Sequence, residues 1–245
     1  MRIHRVFVLT LCVLAAAGCT HEKSQEPAVL SAGEHGRLVI DDFEGEAPSL
    51  GLPTGWQRMV FYDEEGNTDF AVLEEAGNRF LRIHANDAAS AVVRRATFDL
   101  EQTPVLNWRW RVSNVPEGAD LRHKKTEDAA ARVFVMFEYD PSHVNMAMRG
   151  VFKGAAMAYG DYPPLYSLVY VWSNQTPPGT IIDSPYMDTS KIIVIRRGNE
   201  KAGEWVAERR NILEDFRLAF GETQPTPLEG IGLVTDTDDL HGEVT

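Results

Sequence analysis

Beyond residue 38 the chain is a succession of short apolar stretches divided by turn residues, and their period is two. The clearest spans 105–112. Leu106, Trp108, Trp110 and Val112 point one way; Val105, Asn107, Arg109 and Arg111 point the other. A strand with Trp on one face and Arg on the other is half-buried, so Trp108 and Trp110 are expected to face the core. Arg132 to Tyr139 divides likewise into Val133, Val135 and Phe137 against Arg132, Phe134, Met136 and Glu138. Other extended stretches are Trp56 to Tyr62, Phe70 to Leu73, Phe80 to Ile83, Ala91 to Phe98, Leu168 to Trp172, Ile192 to Arg196, Trp205 to Glu208 and Gly230 to Thr235. Gly77-Asn78 is a two-residue turn that joins the second and third of these as a hairpin. Helical spacing occurs twice. Val144, Met148, Val151, Phe152 and Ala155 form one apolar face over 144–158. Asn211 and Glu214 make a capping box ahead of Leu213, Phe216 and Phe220, and Gly221 ends that helix. The pattern predicts an all-β chain: an antiparallel β-sandwich carrying two short helices.

The first residues break this pattern. Arg2 and Arg5 precede an apolar run from Val6 to Ala17, which ends in Ala15-Ala16-Ala17-Gly18-Cys19. A positive start, a short apolar run and small residues at the cut make a secretory signal, and the run is too short to span a bilayer. The small residues before Cys19 resemble a bacterial lipobox, with Ala16 where Leu is usual. In that reading residues 1–18 are removed and Cys19 is acylated as the first residue of the mature chain. A cleaved signal with an incidental cysteine is the competing reading. Residues 19–37 are then the lipidated Cys and a polar, flexible tether, and residues 38–245 a single domain. Thr20, rather than Asp, follows the Cys. In Gram-negative lipoproteins this directs delivery to the outer membrane, so the expected place is the cell envelope, facing the periplasm.

Cys12 and Cys19 are the two cysteines, so the mature domain keeps no free thiol. Disulfides, thiol catalysis and cysteine–zinc sites are excluded. The formal charge is −12, and loss of Arg2 and Arg5 brings the mature chain near −14. A surface this acidic repels nucleic acid and anionic headgroups, so attachment to the bilayer is expected to come from the acyl chains.

Several motifs follow one another: Asp41-Asp42-Phe43-Glu44, Asn107-Trp108-Arg109-Trp110-Arg111-Val112, Asp128-Ala129-Ala130-Ala131-Arg132-Val133 and Leu168-Val169-Tyr170-Val171-Trp172-Ser173. Glu214-Asp215-Phe216-Arg217, Phe220-Gly221-Glu222 and Thr235-Asp236-Thr237-Asp238 complete the set. In that order they resemble the bacterial exported family called domain of unknown function 3047, over about residues 38–240. The resemblance implies a galactose-binding-domain-like jelly roll, the architecture of many carbohydrate-binding modules. It implies no activity. The family continues past its Asp-Thr-Asp motif into a Gly-rich loop and a final strand. Here His241 to Thr245 follow, so either the sequence is truncated or the domain lacks its closing strand, which would expose a sheet edge.

The chemistry is sparse. No G-x-S-x-G elbow, Walker A loop, G-x-G-x-x-G after a strand or H-E-x-x-H occurs, and no two His share an element at metal-ligand spacing. Three constellations remain. The first is acidic: Asp42 and Glu44 near the start, Asp236 and Asp238 near the end. First and last strands of such a jelly roll lie close together, and clustered carboxylates suit a structural calcium ion. Turn-forming and strand-capping aspartates are the alternative. No EF-hand is present, because Leu240 falls at the third ligand place. The second is a polar sheet face with Arg109, Arg111, Arg132 and Glu138, bordered by Tyr170 or Trp172. Aromatic rings cover the apolar face of a sugar and planar charged groups bind its hydroxyls. The alternative is that Tyr170 and Trp172 are core and the arginines pair with carboxylates. The third is Asp120 with Asp128, flanking a charged loop. A carboxylate pair can serve as acid and base in glycoside cleavage, or can orient Arg132.

The leading expectation is therefore a lipid-anchored, non-catalytic module binding a glycan or envelope polymer. The alternatives are a polysaccharide hydrolase or lyase, and a structural or assembly lipoprotein with a protein partner. A deep cleft with paired carboxylates would mark the enzyme, a shallow aromatic groove the binder, and a flat apolar patch the protein partner.

Acylation of Cys19 is tested by fractionation. Cys19→Ala should move the protein from the membrane to the soluble fraction, since the acyl chains provide the attachment. Equal partitioning of the two forms would refute the lipobox.

Overall fold

A computed structural model describes residues 28–29, 37–45, 49–59 and 67–245. Residues 1–18 read as a signal, Cys19 and most of the stretch read as tether lie outside these residues, as do residues 60–62 of the stretch beginning at Trp56. The strands are β1 (Ala28–Val29), β2 (Ser49–Leu50), β3 (Gln57–Met59), β4 (Asn67–Glu75), β5 (Asn78–Asn86), β6 (Ala89–Thr97) and β7 (Val105–Trp110). After them come β8 (Ala129–Phe137), helix α1 (Met146–Tyr159), β9 (Tyr166–Ser173), β10 (Ile181–Asp183), β11 (Ser190–Arg197) and β12 (Val206–Asn211). Helix α2 (Ile212–Phe220), β13 (Leu228–Asp236) and β14 (Glu243–Val244) close the chain.

Alternation along the strands produces a two-layer β-sandwich. The large sheet has the order β1–β6–β13–β8–β9–β11–β10, with β3 also pairing on β6. Its core face carries Val133, Val135 and Phe137 of β8 beside Leu168, Tyr170 and Trp172 of β9. The opposing layer is the sheet β14–β5–β4–β2 together with the β7–β12 ribbon. Trp108 lies on Tyr170, with ring centres 5.2 Å apart, and Trp110 meets Trp172 at 5.7 Å. Phe70 of β4 packs with Val92 of β6 and Leu233 of β13 in the same interlayer space. α2 closes one flank. Asn211 Oδ1 accepts from the backbone N–H of Leu213 and Glu214, and its amide donates to Glu214 Oε1 at 2.9 Å. Phe216 then packs on Phe137 at 5.0 Å. The hydroxyl of Tyr170 donates to the buried Asp215 at 2.8 Å, and Arg210 Nε donates to the same oxygen at 2.9 Å.

The structure departs from the sequence reading at several points. The hairpin turn is Ala76-Gly77, not Gly77-Asn78, because Asn78 pairs with Glu75. Both turn residues have positive φ, 50° and 76°, as a type I′ turn demands. The large sheet is mixed: β9 and β11 run parallel, as do β1 and β6. Ala28 and Val29, within the stretch read as tether, pair with Ala96 and Thr97. Glu243 and Val244 pair with Asn86 and Ala85, adding a two-residue strand at the edge of the smaller sheet. Gly230 is required by this arrangement. A Cβ there would stand 2.6 Å from the carbonyl oxygen of Arg94.

The large sheet has two distinct ends. At one, Asp236 lies opposite both Ala89 and Ala129. At the other, Leu228 lies opposite Phe137, and β1 pairs with the last residues of β6.

Trp110 is 6% exposed and fills the interlayer space. Trp110→Ala should cost about 3–5 kcal/mol in denaturant unfolding, the range for a buried large aromatic. An unchanged midpoint would mean that the indole does not carry the packing between layers.

Candidate functional site

The chemistry gathers where β8 begins and β13 ends. Glu127 and Asp128 immediately precede β8, and the antiparallel pairing of β13 brings Asp236 opposite Ala129. The turn after β13 is held firmly. The hydroxyl of the buried Thr237 lies 3.2 Å from the Ala88 N–H and 3.1 Å from the Ala88 carbonyl oxygen. Asp128, fully buried, accepts from the N–H of Asp239 at 3.2 Å and of Leu240 at 3.0 Å. These bonds fold Asp238 and Asp239 back over the start of β8. One carboxylate oxygen from each of Asp128, Asp238 and Asp239 lies within 4.8 Å of the others.

Arg132 enters the same cluster from the outer face of β8. It is 6% exposed. Nη1 donates to Asp236 Oδ2 at 2.7 Å, and Nη2 donates to the carbonyl of Glu127 and to its Oε2, the latter at 3.3 Å. Two polar atoms here, Arg132 Nε and Asp236 Oδ1, are buried without a hydrogen-bond partner among the described residues. Burial opposes the charge of Arg132, but Glu127 and Asp236 outweigh it and raise its pKa. Burial lifts the Glu127 carboxyl to about 7 despite the attraction of Arg132. Burial, then the charge of Asp236, lifts Asp128 to about 6. Asp238 is raised by burial and by Asp236 within hydrogen-bonding reach, and Asp239 by burial and the same charge. Five carboxylates thus surround one guanidinium. Glu127, Asp128 and Asp236 are buried, Asp239 is half-buried and Asp238 is exposed, so the sealed part of this negative charge is offset by Arg132 and by protons or another cation.

Tyr186 stands at the edge of this cluster. It is 37% exposed, its hydroxyl bonds the Glu127 carboxylate, and Lys124 Nζ lies 5.2 Å from its ring centre. Sequence reasoning missed it, because residues 184–189 carry no periodic pattern.

The structure brings together Asp128, Arg132, Asp236 and Asp238, and separates the other candidates. Asp42 and Glu44 lie elsewhere. Their neighbour Asp41 binds Arg94 Nη1 at 2.7 Å and Trp56 Nε1 at 2.8 Å. Arg94 sits five residues along β6 from Ala89, the partner of Asp236, or about 16 Å at strand rise. The four-residue calcium set therefore does not assemble across the termini. Glu138 follows β8 at the far end, where its charge bears on Glu229. Arg109 and Arg111 lie in the opposing layer. Arg111 makes a bidentate pair with Glu75 at 2.8 and 3.0 Å, and Arg109 Nη2 donates to Asn78 Oδ1. Both guanidinium groups lie over the half-buried Trp205, at 5.8 and 5.0 Å for Arg109 and Arg111. Tyr170 and Trp172 are fully buried in the core and border no surface. Asp120 caps its own loop, accepting from Arg122 N at 3.1 Å, and is half-exposed, whereas Asp128 is sealed. The two carboxylates hold separate partners.

The chain belongs to the family described as protein of unknown function DUF3047, whose model matches residues 54–245. No curated protein matches it.

Among the described residues, Arg132 is the one guanidinium set among these carboxylates. Arg132→Ala leaves Glu127 and Asp236 buried without it and should cost about 3–5 kcal/mol, read as a lowered unfolding midpoint. A change within about 1 kcal/mol would show that water already solvates these groups.

Proposed function

We propose that this protein is a lipid-anchored, non-catalytic binding module of the bacterial envelope, held at the outer membrane through Cys19 and facing the periplasm. In this reading it takes a glycan or envelope polymer at the carboxylate end of its large sheet, through a divalent cation. The observation that carries the reading is the convergence of one oxygen each from Asp128, Asp238 and Asp239 within 4.8 Å, beside the buried Asp236, whose Oδ1 accepts no N–H or hydroxyl bond from the described residues.

The chemistry of these donors favours a hard cation. All are carboxylate oxygens; neither thiolate nor imidazole is among them. Calcium takes about six to eight oxygens in tolerant geometry, more than these side chains supply. The remaining positions are open to water or to paired hydroxyls of a sugar. The cation would also relieve the surplus negative charge that Arg132 leaves. Tyr186 beside the cluster offers an aromatic ring of the kind that packs on a pyranose. An acidic chain repels an anionic polymer, and a bound cation reverses that locally.

The paired-carboxylate alternative has less support. Asp128 is fully buried, with its oxygens engaged by two backbone N–H groups. A general acid or base must reach the proton it moves.

Calcium chloride titrated calorimetrically into the chelator-stripped Cys19→Ala protein should give saturable binding and raise the melting temperature. Asp238→Asn combined with Asp239→Asn should remove both effects. Capture on a glycan array should then require calcium. No saturable cation uptake together with no glycan capture would sink the reading.

A further inference from the structure

Helix α1 is apolar on both sides. Inward, Phe152 is buried against Tyr139, with ring centres 4.5 Å apart, and Tyr139 stacks on Tyr162 at 4.6 Å. Outward, Met146 is 78% exposed, Met157 81% and Val151 41%. Arg149 and Lys153 share the exposed side, and the helix contains no acidic residue. Methionines left in water on one element need a cover. In a chain of formal charge −12, this element has the opposite sign.

Its place in the fold indicates the cover. The helix follows β8, so it sits at the end of the large sheet away from the carboxylates. Gly160 closes it with φ 83°, and the next residue, Asp161, accepts from Arg95 Nη2 at 2.6 Å. Arg95 precedes Ala96, to which Ala28 of β1 pairs. The tether therefore joins the domain beside the C-terminal end of α1. From Cys19 to Ala28 is nine residues, a reach of about 30 Å when fully extended. An acyl group on Cys19 keeps this end of the sandwich within that distance of the bilayer.

We propose that α1 lies flat on the membrane surface, with Met146, Val151 and Met157 in the headgroup boundary and Arg149 and Lys153 against lipid phosphates. This rests on the acylation of Cys19 and is independent of what binds at the carboxylate end. Amphipathic helices with basic flanks take this position, and a second attachment converts a single anchor into a fixed orientation. Electrostatics acts in the same sense. The anionic bilayer attracts the helix and repels the five carboxylates at the opposite end.

The mature lipoprotein offers a direct test, because the sulfur of Cys19 carries lipid and a new cysteine is then its one free thiol. Met157→Cys, and separately Arg122→Cys at the carboxylate end, are labelled with a fluorophore. Each protein is reconstituted in vesicles of phosphatidylethanolamine and phosphatidylglycerol containing a nitroxide-bearing lipid. The label at 157 should be quenched several-fold more than that at 122. Arg149→Glu with Lys153→Glu should reduce it to the level at 122. Protein that floats with the vesicles while both labels are quenched equally overturns the proposal and leaves anchoring intact. Dimerisation in detergent that buries the label at 157 overturns it in favour of a second copy on this face. Protein that does not float overturns the anchoring and the docking together.

Discussion

Contact between two pairs of aromatic rings is the constraint on which this structure rests. Trp108 on Tyr170 and Trp110 against Trp172 join the β7–β12 ribbon to the middle of the large sheet. Side-chain bonds tie the ribbon further, from Arg196 of β11 to Glu208 and from Arg111 to Glu75 of β4. Its strands pair only with each other among the described residues, so no hydrogen-bond ladder continues into a neighbouring sheet. Burial of large rings supplies the adhesion instead, and edge-to-face packing of Trp108 on Trp110 fixes their mutual angle. Because Tyr170 and Trp172 are spent on this contact, they are unavailable as a binding surface. The hydroxyl of Tyr170 still needs a partner in the core, and the buried Asp215 provides it. Asp215 in turn engages Arg210 at the end of β12. One polar chain thus leads from the central strand through α2 to the ribbon.

Much of this was legible in the sequence. Period-two alternation placed most strands, and within β7 and β8 it grouped the residues correctly by face. The capping pattern at Asn211 specified the start of α2, since one side chain meets two backbone donors that a helix leaves open. Alternation says which residues share a face; it does not say which sheet that face belongs to. Arg109, Arg111 and Arg132 were therefore grouped, although the core separates them. Nor does it say which face is covered, so the sequence leaves Tyr170 and Trp172 open as site or core, and their burial makes them core. β10 and β14 are too short for any period to show.

The acidic cluster illustrates a different limit. Asp128 and Asp236 are over a hundred positions apart and meet because β13 inserts between β6 and β8. Register brings them together, and register is a property of pairing that a single strand does not display. Two of the motifs that carry the family resemblance, Asp128 to Val133 and Thr235 to Asp238, end at this one place. Asp42 and Glu44 were associated with it through an analogy between folds, which transfers topology more reliably than residues.

The length of β6 has a consequence for the medium that each end of the molecule samples. Its nine residues separate Ala89 from Thr97 by about 26 Å at strand rise. Counter-ion screening at physiological ionic strength decays over about 8 Å. In the orientation proposed for α1, with Thr97 on the bilayer side, the carboxylates beside Ala89 would stand several screening lengths beyond the cation-enriched layer that lines anionic lipid. They would then meet the bulk composition of the surrounding fluid while the opposite end meets the lipid, and a cation held there would follow free ion activity in solution rather than the charge of the membrane.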